Sequence, residues 1–201
     1  MNKFLSTVAA TVLLVTGCGG PPHINALHES SVVLAFGDSI TFGSGAEQTE
    51  SYPSLLAGRI GCRVINAGMP GEITSEGLQR LPAVLEEAKP DLVILCHGGN
   101  DMLRKKDESA ITKNLNAMIS LIKEAGTDVV LIGVPKPGLW LRPAPFYKKT
   151  AAEHDIPFDG KTLPKILSTP ALKSDQIHPN AAGYRSLAEA IAQLIRESQT
   201  P

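Results

Sequence analysis

The stretch that decides the fold is "SVVLAFGDSITFG", residues 31–43. Five apolar residues, Val32 to Phe36, run without a polar break into Gly37-Asp38-Ser39. A continuous apolar run of this length fits a strand buried on both faces, as the strands of parallel sheets are. It ends on a serine framed by small residues. A serine in that place either caps the next helix or acts as a nucleophile, and the rest of the chain must separate the two readings.

Downstream, strands and helices alternate. Residues 51–61 read as a short helix with Leu55, Leu56 and Ile60 on one side, stopped by Gly61; 63–66 is a second strand. Residues 72–89 have helical spacing through Ile73, Leu78, Leu81 and Leu85, with Pro82 as a candidate kink. Leu92–Cys96 is a third strand, 109–125 an amphipathic helix ended by Gly126, and 128–134 a fourth strand. A Pro-rich loop leads to a helix near 146–154, a short strand at 156–158, and a final helix over 181–197. This alternation predicts βαβ units: a parallel sheet covered on both faces by helices. Sites in such sheets gather at the carboxyl ends of the strands. Three polar clusters fall there: Ser39, the segment 68–72 and the segment 98–101.

At 201 residues the chain suits one domain with a sizeable core. Its 43% hydrophobic and 19% charged content is ordinary for a folded globule. A formal net charge of −1, with no basic stripe on any helix, gives no case for nucleic acid. Arg104, Lys105 and Lys106 read as a solvated turn.

The first residues differ in kind. After Lys3 the chain is uncharged from Phe4 to Gly17. That is short of the ~20 residues of a transmembrane helix and fits an export signal. The signal ends in Val15-Thr16-Gly17-Cys18, which resembles the lipobox of bacterial lipoproteins. The resemblance implies cleavage before Cys18, a lipid on its thiol, and a tether over 19–30 that reaches at most ~40 Å. Gly19 after the cysteine implies the outer membrane, facing the periplasm, in a source with two membranes. The domain expectation is therefore a signal over 1–17, a lipidated cysteine and tether over 18–30, and one folded domain over 31–201.

Near the other end, "SDQIHPNAAGY" spans residues 174–184. Asp175 and His178, three apart, share one face of a turn. A carboxylate there can bond one imidazole nitrogen, fix the tautomer, and leave the other nitrogen to take a serine proton. Pro179 is then expected to start the last helix without a donor. Alone, such a pair is more often structural than catalytic.

It does not stand alone. Ser39 in "GDSI", Gly68 and Gly71 in "NAGMPGE", Asn100 in "GGND", and Asp175 with His178 follow one another in a single order. In this the chain resembles the SGNH, or GDSL, hydrolase family, in its small thioesterase/lysophospholipase/arylesterase branch, over roughly residues 31–198. The resemblance implies a three-layer α/β/α, flavodoxin-like fold with a five-stranded parallel sheet in the order 2-1-3-4-5. It implies Ser39 as nucleophile, His178 as general base and acid, and Asp175 as its orienting partner. The oxyanion hole would be formed by the N–H groups of Ser39 and Gly71 and the side-chain amide of Asn100. No metal or other cofactor is implied. The elbow G-x-S-x-G of α/β-hydrolases does not fit Gly37-Asp38-Ser39-Ile40-Thr41.

Two residues depart from the family pattern. Pro70 stands before Gly71 where a small polar residue is usual, which puts the aim of that N–H in question. His97 stands where an apolar residue is usual; it reads either as a structural histidine or as a second titrating group near the site, and no catalytic role is assigned to it. The family strand order also separates Cys62 from Cys96 and places them at opposite strand ends, so two unpaired, buried thiols are expected.

The expected function is a serine esterase that hydrolyses carboxylic esters or thioesters. Its substrate would be a small-molecule ester or a lipid, and its membrane contact would run through Cys18, with no obligate protein partner. The loop over 135–146 follows the fourth strand; Leu139, Trp140 and Leu141 in it either line an acyl pocket or, in the case of Trp140, pack beneath the loop. The alternatives are a carbohydrate O-acetyl esterase of the cell envelope and a non-catalytic binding lipoprotein. The complete set of five site residues argues against the second.

Overall fold

The computed structural model describes residues 21–138 and 141–200. Its sheet has five parallel strands: β1 (Val32–Gly37), β2 (Arg63–Gly68), β3 (Leu92–Cys96), β4 (Asp128–Ile132) and β5 (Phe158–Asp159). They lie in the order β2-β1-β3-β4-β5, so the central β1 and β3 are covered on both faces. That is why Val33–Phe36 and Leu92–Cys96 are fully buried and carry no alternation.

Helices α2 (Tyr52–Ile60) and α8 (Ala181–Ser198) pack together on one face; α3 (Thr74–Ala88), α5 (Glu108–Glu124) and α6 (Pro145–His154) pack on the other. The inward side of α8, Leu187, Ile191 and Ile195, is completely buried, as its spacing required. α3 continues through Pro82, whose side chain lies on the exposed side. Three short helices, α1 (Ser39–Phe42), α4 (Gly99–Leu103) and α7 (Thr162–Ser168), lacked the length to show a period in the sequence.

Boundaries moved for local reasons. β2 runs to Gly68 rather than Asn66 because Ala67 and Gly68 still pair with Phe36 and Gly37. The last strand starts at Phe158, not Ile156. Asp155 ends α6 in a left-handed conformation and the Ile156 N–H closes back on the Ala151 carbonyl, so the chain meets β4 two residues later. α8 starts at Ala181, not Pro179: the Asn180 side chain accepts from the Gly183 N–H and supplies the cap. Cys62 and Cys96 are both free and buried, at opposite ends of the sheet.

Part of the expected tether is docked. Ile24 is buried; its N–H donates to the Ser198 carbonyl, and the Ile24 carbonyl accepts from the Thr200 N–H. Asn25 donates from backbone and side chain to Asp128, at the amino end of β4. Any free linker from Cys18 therefore ends at about Ile24, beneath the amino edge of the sheet.

Candidate active site

At the carboxyl end of β1 the backbone approaches β3 closely. A Cβ on Gly37 would stand 2.1 Å from the Cys96 carbonyl oxygen, so only glycine fits. The chain then turns into α1, and Asp38 provides the cap: its Oδ1 accepts from the Ile40 N–H at 3.1 Å. Burial pushes the Asp38 carboxyl up, with His97 and the Ile40 N–H acting against that. Ser39 is thus not the cap. It is half-buried at the first helical position, where its own N–H has no intrahelical acceptor.

Its hydroxyl has a different partner. His178 Nε2 lies 3.0 Å from Ser39 Oγ, and His178 Nδ1 lies 2.8 Å from Asp175 Oδ2. The other Asp175 oxygen accepts from the Ile177 and His178 N–H groups, both at 2.8 Å. Burial raises the Asp175 carboxyl, but these bonds and the imidazole outweigh it and hold the group below its ordinary value. An ionised carboxylate only accepts, so Nδ1 carries the proton and Nε2 is left to accept from the serine. The segment holding the pair is pinned where Ser174 N–H donates to the His178 carbonyl and Lys173 bridges to Pro179.

The opposite wall comes from the loop after β2. Met69-Pro70-Gly71-Glu72 closes with the Glu72 N–H on the Met69 carbonyl at 3.2 Å, and Gly71 has φ +79°. Proline then glycine in that conformation is the pattern of a type II turn. Pro70 therefore stiffens the turn that Gly71 needs and does not disturb it. Among the described residues the Gly71 N–H has no acceptor, and Arg104 donates to the Gly71 carbonyl at 2.8 Å. Asn100, the second residue of α4, donates through Nδ2 to the Glu72 carbonyl at 3.0 Å. That leaves one amide hydrogen uncommitted. Asp101 beside it points the other way and accepts from the Thr74 N–H and hydroxyl, joining α4 to the start of α3.

Under this wall lies an ion pair. Arg80 donates in bidentate fashion to Glu72 at 2.7 Å on both oxygens, and His97 Nε2 is 3.1 Å from Glu72 Oε2. Burial raises the Glu72 carboxyl, but Arg80 and His97 outweigh it and bring it down to about 2. A depressed carboxylate stabilises the fold above its unfolded value of 4.5, and that contribution is lost as pH falls through about 2. Acid titration of unfolding by circular dichroism should therefore show wild type losing on the order of 2–3 kcal/mol over that window. Glu72→Gln should be less stable at neutral pH and should lose correspondingly less over that window. Equal slopes would refute the assignment.

Ser39, Asn100 and His178 meet in a cleft of about 390 Å³, lined on its apolar side by Leu103, Val134, Pro137, Leu141, Leu167 and Ile177. Gly71 adjoins this wall through Glu72 and does not itself line the cleft. Leu141 lines it as expected; Leu139 and Trp140 lie outside the described residues, as does Cys18. Leu167 and Ile177 were not anticipated, because neither is marked by a motif: one sits in the short α7 and the other beside His178. Together the groups can activate a hydroxyl, receive its proton, and direct hydrogen-bond donors at a developing anion.

The chain matches the GDSL-like lipase/acylhydrolase family over residues 35–186. It is 33% identical over 175 residues to an arylesterase of Vibrio mimicus, covering 82% of this chain and 88% of that protein. Against thioesterase 1/protease 1/lysophospholipase L1 of Escherichia coli strain K12 the identity is 27% over 175 residues, covering 83% and 84%. The crystal structure of TesA superposes with a TM-score of 0.75 at 29% identity, covering 83% of this chain and 98% of that one.

Proposed function

This chain belongs to the GDSL-like lipase/acylhydrolase family and is a serine ester hydrolase, and from that premise we propose that it works through an acyl-enzyme on Ser39. Ser39 Oγ attacks the ester carbonyl as its proton passes to His178 Nε2. The Asp175 carboxylate steadies the imidazolium through Nδ1. The carbonyl oxygen, now an anion, receives the Ser39 and Gly71 N–H groups and the uncommitted hydrogen of Asn100. The tetrahedral adduct collapses when His178 returns the proton to the leaving alcohol or thiol. Water, deprotonated by the same imidazole, then releases the acid. The observation carrying this reading is the continuous Ser39–His178–Asp175 bonding, at 3.0 and 2.8 Å, on the floor of an apolar cleft.

The cleft also bears on the acyl group. Leu103, Val134, Leu141, Leu167 and Ile177 offer apolar surface beyond what acetate can cover. Each methylene buried there contributes ~0.8 kcal/mol, about fourfold in kcat/KM. A p-nitrophenyl ester series should therefore rise in steps from acetate through butyrate toward octanoate. A series that peaks at acetate would instead favour a deacetylase, which the arylesterase and thioesterase relatives do not support.

We further propose export and anchoring through a lipid on Cys18. This reading is supported by Lys3, the uncharged run over 4–17 and the sequence Val15-Thr16-Gly17-Cys18. With Ile24 docked, six residues reach at most ~20 Å from Cys18. α8 runs about 27 Å from the cleft side to the same edge. Such an anchor favours esters arriving from solution over lipids of the anchoring leaflet.

A further inference from the structure

His97 is fully buried one residue beyond β3, a place where an apolar side chain would do for packing alone. Its imidazole has both nitrogens engaged. Nδ1 accepts from the Gly98 N–H at 3.0 Å, so in the neutral ring the proton is on Nε2, which donates to Glu72 Oε2 at 3.1 Å. Its carbonyl accepts from the Tyr147 hydroxyl at 2.7 Å. α3 makes room for the ring: a Cβ on Gly77 would stand 2.4 Å from His97 Nε2. Glycine within a helix costs up to ~1 kcal/mol against alanine, so this contact at the fourth residue of α3 is maintained against helix propensity.

What the ring ties together is specific. Gly98, with φ +102°, caps α4, the helix that presents Asn100. Glu72 supplies the carbonyl that holds the Asn100 amide at 3.0 Å. One nitrogen therefore fixes the turn that launches Asn100, and the other fixes the residue that orients its side chain. We propose that His97 is a positioning residue for the oxyanion side of the site, acting through Glu72 and Gly98 on the amide of Asn100. The proposal rests on Asn100 donating to the oxyanion. Arg80 keeps Glu72 paired without the histidine, so the network's loss need not unfold the protein.

The test is a double-mutant cycle on p-nitrophenyl butyrate with His97→Leu, His97→Gln, Asn100→Ala and the pairs with Asn100→Ala, each checked by thermal melt. His97→Leu should lower kcat about ten- to a hundredfold, the scale of a small misplacement, with KM little changed. His97→Gln, whose amide can reach Glu72 as Nε2–H does, should recover most of that loss. With Asn100→Ala already present, His97→Leu should cost less than about threefold, because the group it positions is gone. An equal factor in both backgrounds, or an unchanged kcat, overturns the proposal. An Asn100→Ala variant with native kcat would refute the role of Asn100 itself and the proposal with it. Should the leucine variant fail to reach a native melt, the cycle is run on His97→Gln. A measurable kcat loss there that vanishes with Asn100→Ala supports the proposal, and a loss that persists in full overturns it.

Discussion

Ser39→Ala is expected to lower kcat for p-nitrophenyl butyrate by about 10⁵–10⁶, with melting temperature and KM near native. Among the described residues the hydroxyl has one bonding partner, His178 Nε2, and it stands half-buried at the start of α1, whose cap is Asp38. Nothing in the packing depends on it. Its chemistry depends on it wholly, because among the described residues no other hydroxyl meets the imidazole. His178→Ala should fall to a similar floor, and the double variant should fall no further, since serine and histidine act as one unit. Residual turnover in Ser39→Ala above about one hundredth of wild type would mean that a different nucleophile operates.

Asp175→Asn is expected to cost about 10³ in kcat, less than the ~10⁴ found where such an aspartate is buried. Two features set this size. Its Oδ2 fixes the proton on His178 Nδ1, and an amide in its place can present N–H there and favour the wrong tautomer. Yet its side chain is 53% exposed, so water can take part of its place. The backbone bonds from Ile177 and His178 go to the other oxygen, which asparagine retains, so the loop should keep its shape. Because the carboxyl is held below its ordinary value, Asp175 stays charged down through mildly acidic pH. A kcat limb that followed an ordinary carboxylate would therefore contradict this arrangement.

Much of this was legible in the sequence. The unbroken apolar runs at 32–36 and 92–96 could be satisfied only in the middle of a sheet, and they sit there. Ser39, Asn100, Asp175 and His178 were marked by motifs short enough to carry their own local geometry. Gly71 was marked too, but the effect of Pro70 could be judged only once the turn and its φ were known. The buried cluster beneath the site was not legible: Glu72 and Arg80 meet across the start of α3, and only the pairing of the strands brings His97 to them. The docking of Ile24 was hidden for the same reason, because its partner is the far end of α8. What escaped the sequence was pairing between distant segments; what it contained was periodicity and local turn chemistry.

In the proposed mechanism Ser39 carries the acyl group. The most direct test is intact-protein and peptide mass spectrometry after brief exposure to an alkyl fluorophosphonate, which bonds an activated serine and stays. One adduct per chain is expected, located on the peptide containing Ser39, absent in Ser39→Ala and strongly slowed in His178→Ala. An adduct on another serine, or none while ester turnover persists, would contradict it.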